Sequence, residues 1–142
     1  MPGTYREAVD DMLGVFKAAW DTTGLTALYP GIDGSPPADF PVDLPGWARV
    51  TLRHTDGRQV GHGEQGQQRF ERHGLLIIQI FVSPGRGYGP AYDLAKVVTD
   101  AYQGATTSKG VWFRGHHPRE VPSDGAWLQL NVHVEFEYDE IT

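Results

Sequence analysis

The sequence predicts an α+β domain: two helices packed on a mostly antiparallel four-stranded sheet, in the order α-β-β-α-β-β, with a long Pro/Gly-rich loop after the first helix. Three observations carry this. Apolar residues recur at helical spacing in two separate stretches, each closed by a glycine. Strand-like stretches follow each helix, and the last alternates apolar and polar residues from Leu128 to Tyr138. Helices and strand pairs in that succession bury their apolar faces most simply as one sheet with helices laid on it. With 142 residues the chain has the length of one domain, spanning 1–142, and enough material for a core.

The first helix opens at Thr4. Its hydroxyl is placed to accept the Glu7 backbone N–H while the Glu7 carboxylate reaches back, a capping box. Tyr5, Ala8, Val9, Met12, Phe16, Ala19 and Trp20 then fall on one face, and Gly24 ends the helix. From Leu25 to Gly46 the chain carries five prolines and no clean periodicity. So long a stretch without regular structure is unusual inside a domain. It nevertheless holds Leu28, Tyr29, Ile32 and Phe40, with Trp47 just beyond, so it reads as an arm that packs against something, exposed on a lone subunit.

"WARVTLRHTDGR" alternates through Val50 and Leu52 and is expected to stop at the turn signal Asp56-Gly57. Arg69 to Val82 is the longest strand expected, apolar on both faces from Leu75 onward, with Gly74 a bulge or bend. Pro90 suits the first position of a second helix running to Gln103, with Gly104 as its stop. "GVWFRG" begins the third strand, and a turn at Ser123-Asp124-Gly125 leads to "WLQLNVHVEFEYDE". There Leu128, Leu130, Val132, Val134, Phe136 and Tyr138 face one way, and Gln129, Asn131, His133, Glu135 and Glu137 the other.

Several function classes are excluded or disfavoured. With no cysteine there is no disulfide, thiolate zinc site or cysteine nucleophile, which fits an intracellular assembly compartment. "MPGTYREAVDD" has no apolar run, so a signal peptide is not expected, and "LLIIQIFV" is too short to span a bilayer. A formal net charge of −6 argues against a general nucleic-acid binder.

Candidate chemistry is sparse. "FVSPGRGYGPAYDLAKVV" places Gly85, Gly87 and Gly89 between a strand and a helix, which raises a phosphate loop. The spacing G-x-G-x-G and the missing lysine fit neither a dinucleotide fingerprint nor a Walker loop. The glycines read as a corner, with Arg86 and Tyr88 exposed to touch a neighbour. The six histidines are scattered: His116 and His117 point to opposite faces, and His54, His62 and His73 lack a ligand one helical turn away. Asp10-Asp11, Glu135 with Glu137, and Asp139-Glu140 read as solvated faces. No catalytic, metal or cofactor residue is assigned.

The whole succession resembles the tail-terminator (tail-completion) proteins of long-tailed bacteriophages. The residues that carry the resemblance are the helix "TYREAVDDMLGVFKAAW", the proline-rich loop, "LLIIQIFVSPGRGYG", the helix "PAYDLAKVVTDAYQG" followed by "VWFRG", and the alternating last strand. The resemblance implies a ring, typically of six copies, that caps the tail tube in the virion after assembly in the host cytoplasm. Its partners would be itself, the tail-tube protein and the head–tail connector or neck protein, with no membrane and DNA only as passing cargo. An acidic lumen would not grip that DNA. It would need no cofactor and no catalysis. The contact candidates are Leu28, Tyr29, Ile32, Phe40, Trp47, Arg86 and Tyr88. Another neck protein is one alternative; a small intracellular enzyme or ligand-binding module using a cleft beside Gly85–Gly89 is the other.

Overall fold

The computed structural model describes every residue except 1–3, 31–45, 62, 86, 108–109, 123–126 and 142. Thr4 caps helix α1 (Tyr5–Trp20) from an extended backbone, its hydroxyl accepting the Glu7 N–H at 3.2 Å. Ala8, Met12, Phe16 and Trp20, four apart, are the buried stripe. Tyr5, expected on that stripe, is half exposed. One 3-10 turn and Gly24 in the left-handed region (φ 71°) stop the helix.

The sheet has five strands rather than four, and it is mixed. Its order is β1-β2-β3-β5-β4. Strand β1 (Thr26–Leu28) lies inside the arm and pairs in parallel with the first residues of β2 (Gly46–Gln59), Thr26 opposite Trp47 and Leu28 opposite Arg49. The Trp20 indole N–H donates to the Thr26 carbonyl at 3.3 Å, so the end of α1 delivers the chain directly onto the sheet edge. Three residues are too few to show a period, which is why this strand is silent in the sequence.

Strand β2 does not stop at Asp56-Gly57. Gly57 is not among the glycines with positive φ, so it cannot form the hairpin turn that an Asp-Gly pair usually signals. The register against β3 (Arg69–Val82) instead slips between His54 and Asp56, with His54 opposite Gly74 and Asp56 opposite His73. The bulge is therefore in β2, beside Gly74 rather than at it. Pairing continues to Gln59, and the chain reverses near Glu64 and Gln67.

Gly74 has a different task. A Cβ there would overlap the Phe136 ring and sit 2.5 Å from the Arg53 carbonyl oxygen. Phe136, opposite it on β5 (Leu128–Ile141), fills the space that the missing side chain leaves.

Helix α2 (Gly89–Tyr102) buries Ala91, Ala95, Val98 and Tyr102. The Tyr102 hydroxyl donates to the Met12 carbonyl at 3.0 Å, tying the two helices together under the core. Strand β4 (Trp112–Val121) runs well past "GVWFRG" and forms the edge beside β5. Both helices lie on one sheet face, over Val50, Leu76, Ile78, Ile80, Val82, Leu130, Val132 and Val134, all buried. The opposite face has no layer over it among the described residues.

Burying each of these aliphatic side chains is worth about 1.5–3 kcal/mol, so close packing at Gly74 is felt directly. Gly74→Ala should destabilise the fold by about 1–3 kcal/mol, because the ring and a backbone carbonyl must both move. Urea unfolding checks this. A midpoint equal to the wild type would show that Phe136 gives way freely.

Candidate functional site

The described site candidates converge at one end of the sheet. There β2 starts, β3 ends, β4 ends and β5 starts. Trp47 pairs with Phe81 across the ladder and stacks on it, ring centroids 4.1 Å apart and 12° from parallel, with Trp127 edge-on at 6.1 Å. Trp47 is only 3% exposed, so it belongs to this subunit's own packing. Leu28 is likewise buried, as part of β1. Tyr29 is half-buried and meets Phe16 edge-on at 6.0 Å. Leu28 and Tyr29 were expected to be exposed on a lone subunit, and Trp47 was a candidate contact beside them. The reason for the difference is β1 itself, which lays the start of the arm against α1 and β2.

The corner after β3 is built by Gly85 (φ 101°) and Gly87 (φ 69°), both in the left-handed region. Tyr88 is half-buried rather than exposed, its hydroxyl donating to the Val121 carbonyl at 3.1 Å. It fastens the corner to the end of β4. Ile32, Phe40 and Arg86 lie outside the described residues. Trp47 and the corner thus occupy one end of the sheet.

The other end of the sheet is charged and unexpectedly buried. Glu137 and Asp139, on the open side of β5, and Glu140, on the helix side, are 2%, 5% and 8% exposed. Each has an arginine: Arg114 beside Glu137, Arg69 on Asp139 at 2.6 Å, and Arg72 on Glu140 at 3.2 Å. Arg72 also lies over the rings of Tyr5 and Phe70, both at 5.2 Å, and so holds the start of α1 to β3. His54 joins the same assembly, sharing a 2.7 Å hydrogen bond with the Tyr138 hydroxyl. The expectation of solvated carboxylates fails here because the cationic partners sit on neighbouring strands, far away in the sequence.

Glu71, His73 and Glu137 gather their side-chain ligand atoms within 4.8 Å of one another. These residues could hold a divalent cation. A search one helical turn away misses them, because the pattern is i, i+2 on a strand plus the cross-strand partner of His73. Their charge is already matched: Arg58 lies 3.3 Å from Glu71, Arg114 touches Glu137, and His73 hydrogen-bonds Glu71 at 2.5 Å. That bond is the main reason the Glu71 pKa lies below its ordinary value.

The open face between these ends follows from the register. Arg49, Gln79, Asn131 and Arg119 form one row; Thr51, Ile77, His133 and His117 form the next. Arg49 bonds Gln79 at 2.6 Å, and the His117 and His133 rings stack at 5.4 Å. A groove of about 370 Å³ lies here, lined by Thr51, Ile77, Gln79, Arg119 and His133 among others. It contains no nucleophile paired with a base.

No known family's profile matches the sequence, and no curated protein matches it. A solved structure bearing no functional name aligns with 90% of this chain and 93% of its own, with a TM-score of 0.61 at 14% identity. It shares the fold.

Burial, and secondly the charge of Arg72, lower the His54 pKa; burial, His117 and Arg119 lower that of His133. The folded state therefore resists protonation at both. Stability is complete above the unfolded histidine value, about 6.5, and is lost as pH falls through it toward the lower folded values. Glu71 adds loss of the same sign only below its unfolded value of 4.5. The urea midpoint should drop between about pH 7 and pH 5. His54→Gln should reduce that slope without abolishing it, since His133 remains. An unchanged slope would show that the fold does not hold His54 neutral.

Proposed function

We propose that this protein is a structural subunit of the virion of a long-tailed bacteriophage, forming a ring that caps the tail tube, stops its polymerisation and offers the surface for head joining. Its partners are further copies of itself, the tail-tube protein and the head–tail connector. DNA passes through the lumen, and no membrane, cofactor or catalytic step is involved. The finer assignment rests on the sequence resemblance over nearly the whole chain. The observation that best supports it is the two-layer build, with helices on one sheet face and no layer on the other among the described residues: such a subunit offers two unlike surfaces to its neighbours.

The enzyme alternative draws no support from the corner at Gly85–Gly89. Tyr88 closes it against Val121, and the groove on the open face, which Val121 also lines, holds no nucleophile paired with a base. Another neck protein would share the ring but dock at a different level. Purified protein added to polymerising tail-tube protein should shorten the tubes and appear at one end of each by negative-stain imaging. Tubes of unchanged length with bare ends would contradict the proposal.

A further inference from the structure

We propose that the open sheet face receives the helix layer of a second copy of this chain, with Arg119 of one subunit meeting the acidic outer side of α2, at Asp93, of the next. This deepens the ring reading and rests on it.

The bare face has the composition of a contact surface. Leu75, Ile77 and Phe81 run down its centre on β3, half-buried by their neighbours. Arg53 on β2 and Arg119 on β4 flank them, both exposed; Glu135 shares the row of Arg53, whereas the row of Arg119 holds Asn131, Gln79 and Arg49 and no carboxylate. An apolar centre with a polar rim is how protein interfaces are built.

The back of the molecule carries the opposite sign. The outer side of α1 and the turn after it carry Glu7, Asp10, Asp11 and Asp21 with Arg6 and Lys17, and α2 carries Asp93 and Asp100 with Lys96. Lys96 is committed to Asp100 at 2.8 Å. Asp93 is exposed and has no cationic partner among the described residues, and beside it Tyr92 is 43% exposed. Front-to-back docking therefore sets Arg119 against a carboxylate and an aromatic beside an apolar strip. Front-to-back contact is also heterologous, the kind that closes rings.

Sedimentation velocity of the purified chain tests this, with Arg119→Glu, Asp93→Arg and the double variant, at low and high salt. Circular dichroism confirms that each is folded. Wild type should self-associate, less so in high salt. Each single reversal should weaken association about tenfold or more, and the double reversal should restore it. Singles that associate as wild type or better, a double that restores nothing, or a wild type monomeric at every concentration would each overturn the pairing. The tail reading is scored separately, by imaging on tail tubes. Single variants that still cap tubes at wild-type occupancy contradict the pairing while leaving that reading intact. Wild type that assembles with the expected variant pattern yet ignores tubes supports the pairing and removes the tail reading.

Discussion

Strand β3 is the constraint from which the rest of the structure follows. All fourteen of its residues are in register with β5, and all but Arg69 with β2 as well, so it has no free edge along nearly its whole length. Its even-numbered side chains from Leu76 to Val82 supply the centre of the core beneath both helices. Its odd-numbered ones supply the middle of the bare face. A one-residue slip would exchange the two sets and put Gln79 and His73 under the helices, which is why the register is strongly specified. Gly74 enforces it further, since Phe136 can cross β3 only where no side chain stands.

The two ends of β3 are held by different physics. At the end beyond Ile80, aromatic stacking of Trp47, Phe81 and Trp127 and the Tyr88 hydrogen bond close the subunit over its corner. At the Arg69 end, three arginines neutralise three buried carboxylates. Arg69 and Arg114 are largely solvated and contribute little beyond neutralisation. Arg72 and Glu140 are mostly buried, so removing one would strand the other's charge at a cost of about 3–5 kcal/mol. Such a pair favours one arrangement of α1 on the sheet more than it adds net stability.

Much of this was legible in the residues, and for physical reasons. The caps at Thr4, Gly24 and Gly104, the helical stripes and the alternation of β5 are local, so spacing alone reveals them. The misses are all non-local or too short to be periodic. Strand β1 has three residues. Asp56-Gly57 looks like a turn until the bulge opposite Gly74 places it inside a ladder. Glu137, Asp139 and Glu140 look solvated until Arg114, Arg69 and Arg72 arrive from other strands. At the candidate site, Trp47 and Leu28 were visible as large apolar groups, but whether the subunit or its neighbour covers them depends on β1. Ile32, Phe40 and Arg86 stay outside the described residues.

The open face, with Arg119 at its edge, and the acidic helix layer give each subunit two unlike sides, as the proposed ring requires. The central claim is that the uncovered side of β3 is an assembly surface. Electron cryomicroscopy of finished tails measures this most directly. The account predicts a closed ring at the head-proximal end in which Ile77 of each subunit lies beneath α2 of its neighbour. A ring whose sheet faces remain open to solvent, or a tail end without this protein, would contradict it.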